Sequence, residues 1–376
     1  MKILHICNDY CGSKVHANLY SGLDKLDVRQ TVYTYYRNPS LDGKNRFESL
    51  NAEFMYRPVL KTYHRVFYHK KERDVYADLR SQMSTALTSF DLVHATTLFS
   101  DGAVALRISK QYGIPYVVTV RNTDINEFLG IAPHTWPVGV KVLENASKIV
   151  FISKAPMEKF CRHAVIKRIL PNIRHKFALQ PNGIDDFWLD HQNDGVRTNH
   201  HLIYVGRFDM NKNVVRLVKS VIRLRKDIPD IHLHLVGGDG VKEKTVRRLV
   251  DNYPKLLTYH GKIYDKDVLK DLYSQCSVFA MPSIHETFGL VYIEALSQGL
   301  PVLYTRNQGI DGLLDRRVGE SVNALSSKSI QNGLTKLLLQ RQEYTTHGVD
   351  FEQFRWNRIA ERYKQIYEEV LRNGNH

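Results

Sequence analysis

His285-Glu286-Thr287-Phe288-Gly289-Leu290-Val291-Tyr292-Ile293-Glu294-Ala295-Leu296, residues 285–296, is the stretch on which the reading of this chain turns. An apolar run at 277–281 precedes it and stops at Pro282-Ser283, the pattern of a buried strand running into a turn. Residues 290–298 then carry helical spacing and end at Gly299, with Pro301 beyond. The spacing predicts Glu286 on the loop and Glu294 two turns into the helix. Backbone amides around Gly289 and Leu290 open that helix. A helix start offers unpaired N–H groups and partial positive charge, which suit a phosphate. Flanking carboxylates do not bind phosphate, but they accept hydrogen bonds from hydroxyls. The stretch therefore reads as a cradle for a nucleotide sugar: sugar hydroxyls at Glu286, diphosphate at the helix start, ribose at Glu294.

The chain around it has 376 residues, which fits two domains better than one core. Its hydrophobic fraction of 43% is ordinary for a globular protein. No apolar run approaches the ~20 residues a membrane helix needs. The opening Met1-Lys2-Ile3-Leu4-His5-Ile6-Cys7 is too short and too interrupted for a signal peptide and reads as a first buried strand. A cytoplasmic location is expected. Cys7 and Cys276 fall in strand-like runs as small core residues, and Cys7 and Cys11 lack zinc spacing. No disulfide framework is expected.

Strand-like and helix-like segments alternate throughout. In the first half, strands are expected at 2–7, 30–36, 92–95, 116–120 and 148–152, with helices at 14–26 and 101–112. In the second half, strands are expected at 202–205, 232–236, 257–260, 278–281 and 302–305. The polar stretch 191–199 reads as a linker, and 351–372 as a long amphipathic helix. Such alternation implies parallel sheets covered on both faces, with ligands on the loops at the strand C-termini. No Gly-x-Gly-x-x-Gly follows the first strand, so the dinucleotide fingerprint is missing.

The formal charge of +14 favours an anionic partner without naming it. Two concentrations stand out. Residues 57–80 interleave Arg57, Lys61, Arg65, Lys70, Lys71, Arg73 and Arg80 with Tyr56, Tyr63, Phe67, Tyr68 and Tyr76, and residues 154–176 carry Lys154, Lys159, Arg162, Lys167, Arg168, Arg174 and Lys176. Each reads either as a solvated helix face or as an interfacial patch for an anionic membrane. Nucleic acid ranks lower, because no recognised module signature appears.

Glu286, seven residues and then Glu294, with Phe-Gly inside and Ala-Leu after, resembles the signature of the family 4 retaining glycosyltransferases. Pro181-Asn182-Gly183-Ile184-Asp185, Val205-Gly206-Arg207-Phe208 leading to Lys212-Asn213, and Leu235-Val236-Gly237-Gly238-Asp239-Gly240 occur in the family's order. The resemblance implies an α/β GT-B fold: two Rossmann-like domains facing a central cleft, with a C-terminal helix crossing back to the first. The domains are expected at 1–193 (acceptor), 194–350 (donor) and 351–376 (returning helix).

What the resemblance implies for the site follows position by position. Arg207 and Lys212 neutralise the diphosphate, Glu286 holds the donor sugar and Glu294 the ribose. Asn182, Gly206, Gly237, Thr287, Phe288, Gly289 and Leu290 complete the donor contacts. Gly12 lets backbone approach the donor, although the family's paired glycines are here Cys11-Gly12-Ser13. Many relatives carry a His after the strand at 116–120. Here Arg121 takes that place and cannot act as a base. Asp124 reads either as a base for the acceptor hydroxyl or as a turn cap, and His94 and His16 are secondary candidates.

The resemblance implies a nucleotide-diphosphate sugar as donor, a UDP-sugar first, and a glycan or lipid-linked hydroxyl as acceptor, in bacterial surface polysaccharide or glycolipid synthesis, and the basic patches add an expected peripheral contact on the inner membrane face. The resemblance implies no obligatory metal or other cofactor, and Asp265-Lys266-Asp267 reads as a helix cap rather than a metal motif. The leaving diphosphate itself takes the acceptor proton. Another GT-B enzyme, an epimerase or an inverting transferase, stays open, as does a non-catalytic basic protein.

Overall fold

The computed structural model describes residues 1–84 and 86–373. The chain divides into two compact units, Met1–Gly183 with the segment from Trp356 onward, and Ile184–Arg355.

The first unit holds a seven-stranded parallel sheet: β1 (Lys2–Ile6), β2 (Arg29–Tyr35), β3 (Ala52–Arg57), β4 (Leu92–Ala95), β5 (Tyr116–Val120), β6 (Lys148–Phe151) and β7 (Phe177–Leu179), in the order β3-β2-β1-β4-β5-β6-β7. The central strands are buried on both faces, as continuous apolar runs require. β3 and β7 escaped the sequence reading. β3 is a half-buried edge strand with Glu53 and Arg57 in it, and β7 is three residues long. Ser13 caps the helix Lys14–Asp24 by accepting from the Val15 N–H, and Gly113, at φ 74°, ends the helix Ser100–Tyr112.

The chain's last helix, Trp356–Asn373, lies on this unit. Trp356, Ile359, Ala360, Tyr363 and Tyr367 join Ile3, Cys7, Leu19, Tyr20 and Leu23 in one core. Gly22 permits the approach: a Cβ there would stand 2.8 Å from the Ala360 Cβ. Lys148 pairs with Glu369 at 2.7 Å across the same contact.

The second unit holds six parallel strands: β8 (His201–Arg207), β9 (His232–Gly238), β10 (Leu257–Gly261), β11 (Val278–Ala280), β12 (Val302–Thr305) and β13 (Gly319–Val322), in the order β10-β9-β8-β11-β12-β13. β13, an edge strand carrying Glu320 and Ser321, was also missed. Strand order reverses between β1 and β4 in one unit and between β8 and β11 in the other. In doubly wound sheets those two crevices are where ligands bind.

The boundaries correct the expected 193/194 and 350/351. They fall at Gly183/Ile184 and Arg355/Trp356. The short helix Asp186–Asp190 sets Trp188 edge-on against Tyr273, at 5.5 Å between ring centres. Arg355 pairs with Asp186, Asp190 and Glu352, and Ile184 bridges to Arg355. The stretch 191–199 is likewise no free linker. The Asn193 N–H donates to Ser297 O, and Arg197 Nη1 to Gln298 O, both within the second unit. Polar composition alone did not reveal these partners.

Candidate active site

At the switch point of the second sheet, β8 ends in Val205-Gly206-Arg207. Arg207 extends into solvent with 70% of its side chain exposed, and its Nε stands 3.8 Å from Asp209. Asp209 Oδ1 accepts the Lys212 N–H at 2.8 Å and so fixes the turn that presents Lys212. Lys212 Nζ reaches Glu286 Oε2 at 2.7 Å, joining the loop after β8 to the loop after β11. Asn211 secures the same junction: its side chain donates to His285 O and accepts the His285 N–H.

Glu286 is buried and its backbone is pinned on both sides. Its N–H donates to Gln308 Oε1 at 3.2 Å, its carbonyl accepts the Gly309 N–H, and its Oε1 accepts the Thr287 N–H. Gly289 then opens the helix Leu290–Ser297 at φ 76°, with no side-chain cap. Only glycine fits, since a Cβ would lie 2.4 Å from the Tyr292 ring. The Tyr292 hydroxyl donates to Met281 O, anchoring the helix to the end of β11.

Glu294 sits one turn into this helix, not two, because the helix begins at Leu290. It is half-buried. Burial pushes its pKa up to about 7, the Asp185 carboxylate adds to the rise, and Lys266 opposes it. Phe288 corrects another expectation: its ring is 2% exposed and packs near Phe354, so only its backbone can face a ligand. Gly237, at φ 131°, is a forced glycine, for a Cβ would fall 1.8 Å from Gly206 O. The ends of β8 and β9 are thereby pressed together beside Arg207.

The structure thus gathers Lys212, Glu286, Thr287, Gly289 and Leu290 at one crevice, with Gly206 and Arg207 at the adjoining strand end. Asp209, Asn211 and Gln308 belong to it and were not foreseen. Asp209 had a local signal in its spacing to Lys212, whereas Gln308 reaches Glu286 only through tertiary folding.

The remaining candidates lie in the first unit. Gly12 sits in a tight turn in which Asp9 O accepts the N–H groups of Gly12 and Ser13, and a Cβ on Gly12 would meet Asp9 Oδ1. Asn182 is half-buried beyond β7. Arg121, the first residue past β5, donates from Nε to Thr96 O at 3.2 Å.

Asp124 is corrected as a base. It is 1% exposed, and it accepts the backbone N–H groups of Leu98, Phe99 and Arg121 at 3.0, 3.1 and 2.8 Å. It therefore fits its cap reading, clamping the loop after β5 to the loop after β4. Burial holds its pKa up at about 6 against those donors. His94 is equally committed, with Nε2 to Thr119 Oγ1 and Nδ1 to the Tyr367 hydroxyl, and burial drives its pKa down to about 3. His16 is buried and held below its usual value by burial, then by Arg121.

Asp265 accepts the N–H groups of Asp267 and Val268 at the start of the helix Lys266–Ser274, a cap as expected. Among the described residues no group of three or more His, Cys, Asp or Glu is arranged to hold a metal ion. The four cysteines are free, three of them buried.

Two doubly wound sheets with these motifs at their switch points define the GT-B class of glycosyltransferase. The Glycosyltransferase Family 4 model matches residues 12–186 and the Glycosyl transferases group 1 model matches residues 187–348. The chain belongs to this family of glycosyltransferases and transfers a sugar from a nucleotide sugar.

It is 25% identical over 309 residues to a D-inositol 3-phosphate glycosyltransferase of Paenarthrobacter aurescens, covering 75% of this chain and 73% of that one. It is 24% identical over 296 residues to a probable sucrose-phosphate synthase of Thermosipho melanesiensis, covering 73% and 69%. Among solved structures, the sucrose-phosphate synthase of Thermosynechococcus elongatus superposes with TM-score 0.74 at 20% identity, over 99% of this chain and 100% of that one. Anabaena HepE in complex with UDP and glucose superposes with TM-score 0.68 at 16% identity, over 98% and 100%.

Proposed function

We propose that the chain is a retaining transferase that moves a hexose from a UDP-sugar to a hydroxyl of a glycan or lipid-linked acceptor, in the synthesis of a surface polysaccharide or glycolipid. The observation that carries this reading is the Lys212–Glu286 pair, 2.7 Å apart at the mouth of the helix that Gly289 opens. Loss of the nucleoside diphosphate builds negative charge on the leaving oxygen, and fixed positive charge must meet it there. Lys212 has three N–H donors, so one can keep Glu286 in place while others reach phosphate oxygens. Arg207 supplies a fork from the adjoining strand end, and the uncapped helix start supplies backbone N–H groups. Glu286, fixed through Gln308 and Gly309, accepts from sugar hydroxyls. Glu294 accepts from the ribose.

The Glu286 carboxylate is tied to Lys212 and to the Thr287 N–H, and Asp124 is spent on three backbone N–H groups. That supports a mechanism in which the leaving diphosphate takes the acceptor proton on the face from which it departs. UDP occupies solved neighbours of this fold, which puts UDP-sugars first among donors to test.

Membrane contact is part of the proposal in a narrower form than residues 57–80. Arg57 is bound to Asp78 at 2.7 Å, and Lys71 turns inward to Ser100. Lys61, Arg65, Lys70 and Arg73 remain exposed beside Tyr63, Val66 and Phe67, a mixture suited to an anionic headgroup layer. Among the described residues no helix is long and apolar enough to cross a membrane.

The test is a panel of nucleotide sugars assayed for diphosphate release, with the product anomer read by NMR. Retained configuration with a UDP-sugar is expected. An inverted product would remove the retaining assignment, and an epimerised donor without transfer would replace the reading with an epimerase.

A further inference from the structure

A cavity of about 580 Å³ opens in the second unit, outside the Lys212 crevice. Its walls come from Asp209 and Met210 in the loop after β8, the helix Val214–Leu224, Lys242 beyond β9, Ile284 beyond β11 and Leu325 beyond β13. Neither Lys212 nor Glu286 lines it, and the Lys212 ammonium is turned to Glu286.

Part of the lining is cationic. Arg216, Lys219 and Arg223 fall at i, i+3 and i+7 along one stripe of the helix, and Lys242 joins them from its loop. Lys219 and Arg223 stand one turn apart, where like charges repel. Among the described residues none of these four cations forms an ion pair. Arg216 donates from Nη1 to Asn213 Oδ1 and Ala324 O, both neutral acceptors, and so fixes the wall. Asp209, the carboxylate on the lining, is already spent. Its Oδ1 accepts the Lys212 N–H, and its Oδ2 stands 3.8 Å from Arg207 Nε. Four cations thus share the cavity with one committed carboxylate.

Much of the remaining lining is apolar. Met210 and Leu325 are 58% and 64% exposed, and Val215 and Ile284 are half-buried. Large apolar side chains gathered beside cations leave water when an amphipathic anion covers them. The volume lies within the roughly 300–1,000 Å³ usual for small-molecule sites. A concavity of that size encloses one small molecule, whereas a flat bilayer face would leave it unfilled.

We propose that this cavity binds an amphipathic phosphate ester, its phosphate held by Lys219, Arg223 and Lys242 and its apolar part laid over Met210, Ile284 and Leu325. A forked guanidinium and two ammonium groups match the three terminal oxygens and the nearly two negative charges of a phosphomonoester. The site is distinct from the donor crevice and rests on no reading of the transfer reaction.

The test uses the full chain and n-hexyl phosphate as probe, titrated calorimetrically at low salt in excess UDP so that the donor-side cations are occupied. Hexyl phosphate should bind more tightly than inorganic phosphate or hexanol, each of which offers half of the chemistry. Replacing all three cations, Lys219→Gln with Arg223→Gln and Lys242→Gln, should weaken hexyl phosphate binding at least tenfold and leave UDP affinity as it was. Unchanged hexyl phosphate affinity in that variant overturns the site, as does inorganic phosphate binding equally tightly to the wild-type chain. A parallel loss of UDP affinity would merge the cavity with the donor crevice and overturn it too. If the triple variant does not fold, judged by circular dichroism, Lys242→Gln alone decides by the same criteria.

Vesicles of phosphatidylcholine with and without phosphatidic acid separate the sources of the ester. Capture by phosphatidic acid that the triple variant loses assigns a lipid-borne phosphate. Hexyl phosphate binding without such a loss of capture assigns a soluble one.

Discussion

Lys212 and Glu294 each carry a distinct expectation. Lys212→Ala should lower turnover by roughly 10²–10³-fold, the range for removing one preorganised charge stabiliser. Steady-state kinetics with the best donor checks it, and normal turnover would take Lys212 out of the mechanism. Glu294→Ala should weaken UDP binding about tenfold, through loss of a ribose acceptor. Unchanged affinity by titration would count against that role. Glu294 also carries a pH signature. Its folded pKa, about 7, stands above the ordinary 4.5. Below the ordinary value the group is protonated in both states and imposes nothing. Between the two values the unfolded chain ionises first, so stability falls as pH rises, then stays lower above about 7. Denaturant unfolding across that window should show the fall, and Glu294→Gln should flatten it. Asp124→Ala should destabilise the first unit by about 2–4 kcal/mol, because three buried backbone donors lose their acceptor. A variant of native stability with abolished turnover would restore Asp124 as a base.

Elements bring these residues into line, and glycine decides the most important join. Gly289→Ala should both weaken UDP binding and lower stability by about 1–3 kcal/mol, because φ 76° and the Tyr292 ring leave no room for a Cβ. Nucleotide affinity and unfolding midpoint measure the two effects together. A second element-scale feature was not foreseen. His201, His232, His234 and His260 gather on one face of β8, β9 and β10, with His234 Nδ1 3.0 Å from His260 Nε2 and His234 Nε2 3.3 Å from His201 Nδ1. Burial and neighbouring imidazoles drive the His234 pKa down to about 3. The unfolded chain therefore binds a proton that the folded sheet refuses, so stability is full above the ordinary 6.5 and falls as pH drops from there toward about 3. The histidines were invisible as a group in sequence because parallel strands far apart in the chain bring them together.

On the scale of the whole chain, the sequence alternation was enough to fix two parallel α/β sheets, and the ordered motifs were enough to fix the family. The unit boundaries were less legible. Apolar periodicity marks the returning helix but starts it at 351 rather than at Trp356, and only the contacts of Arg355, Trp188 and Ile184 show which side of each join belongs to which core. Removing residues from Trp356 onward would strip Trp356, Ile359, Ala360, Tyr363 and Tyr367 from the first core. The truncated chain should be insoluble or should lose its cooperative thermal transition, and unaltered calorimetry would contradict the packing.

What the sequence by itself determined is local and periodic: a strand, a turn and a helix opened by Gly289, two glutamates with seven residues between them, and Arg207 and Lys212 after a strand. Those follow from spacing along one chain segment, where backbone conformation is set by near neighbours. What the tertiary structure decided is occupancy. It gave the Glu286 backbone to Gln308, both Asp124 oxygens to backbone amides, the Phe288 ring to the core and the Lys212 ammonium to Glu286. A carboxylate or a cation looks the same in sequence whether it is spent or free, because its hydrogen-bond partners come from segments the chain brings near only on folding.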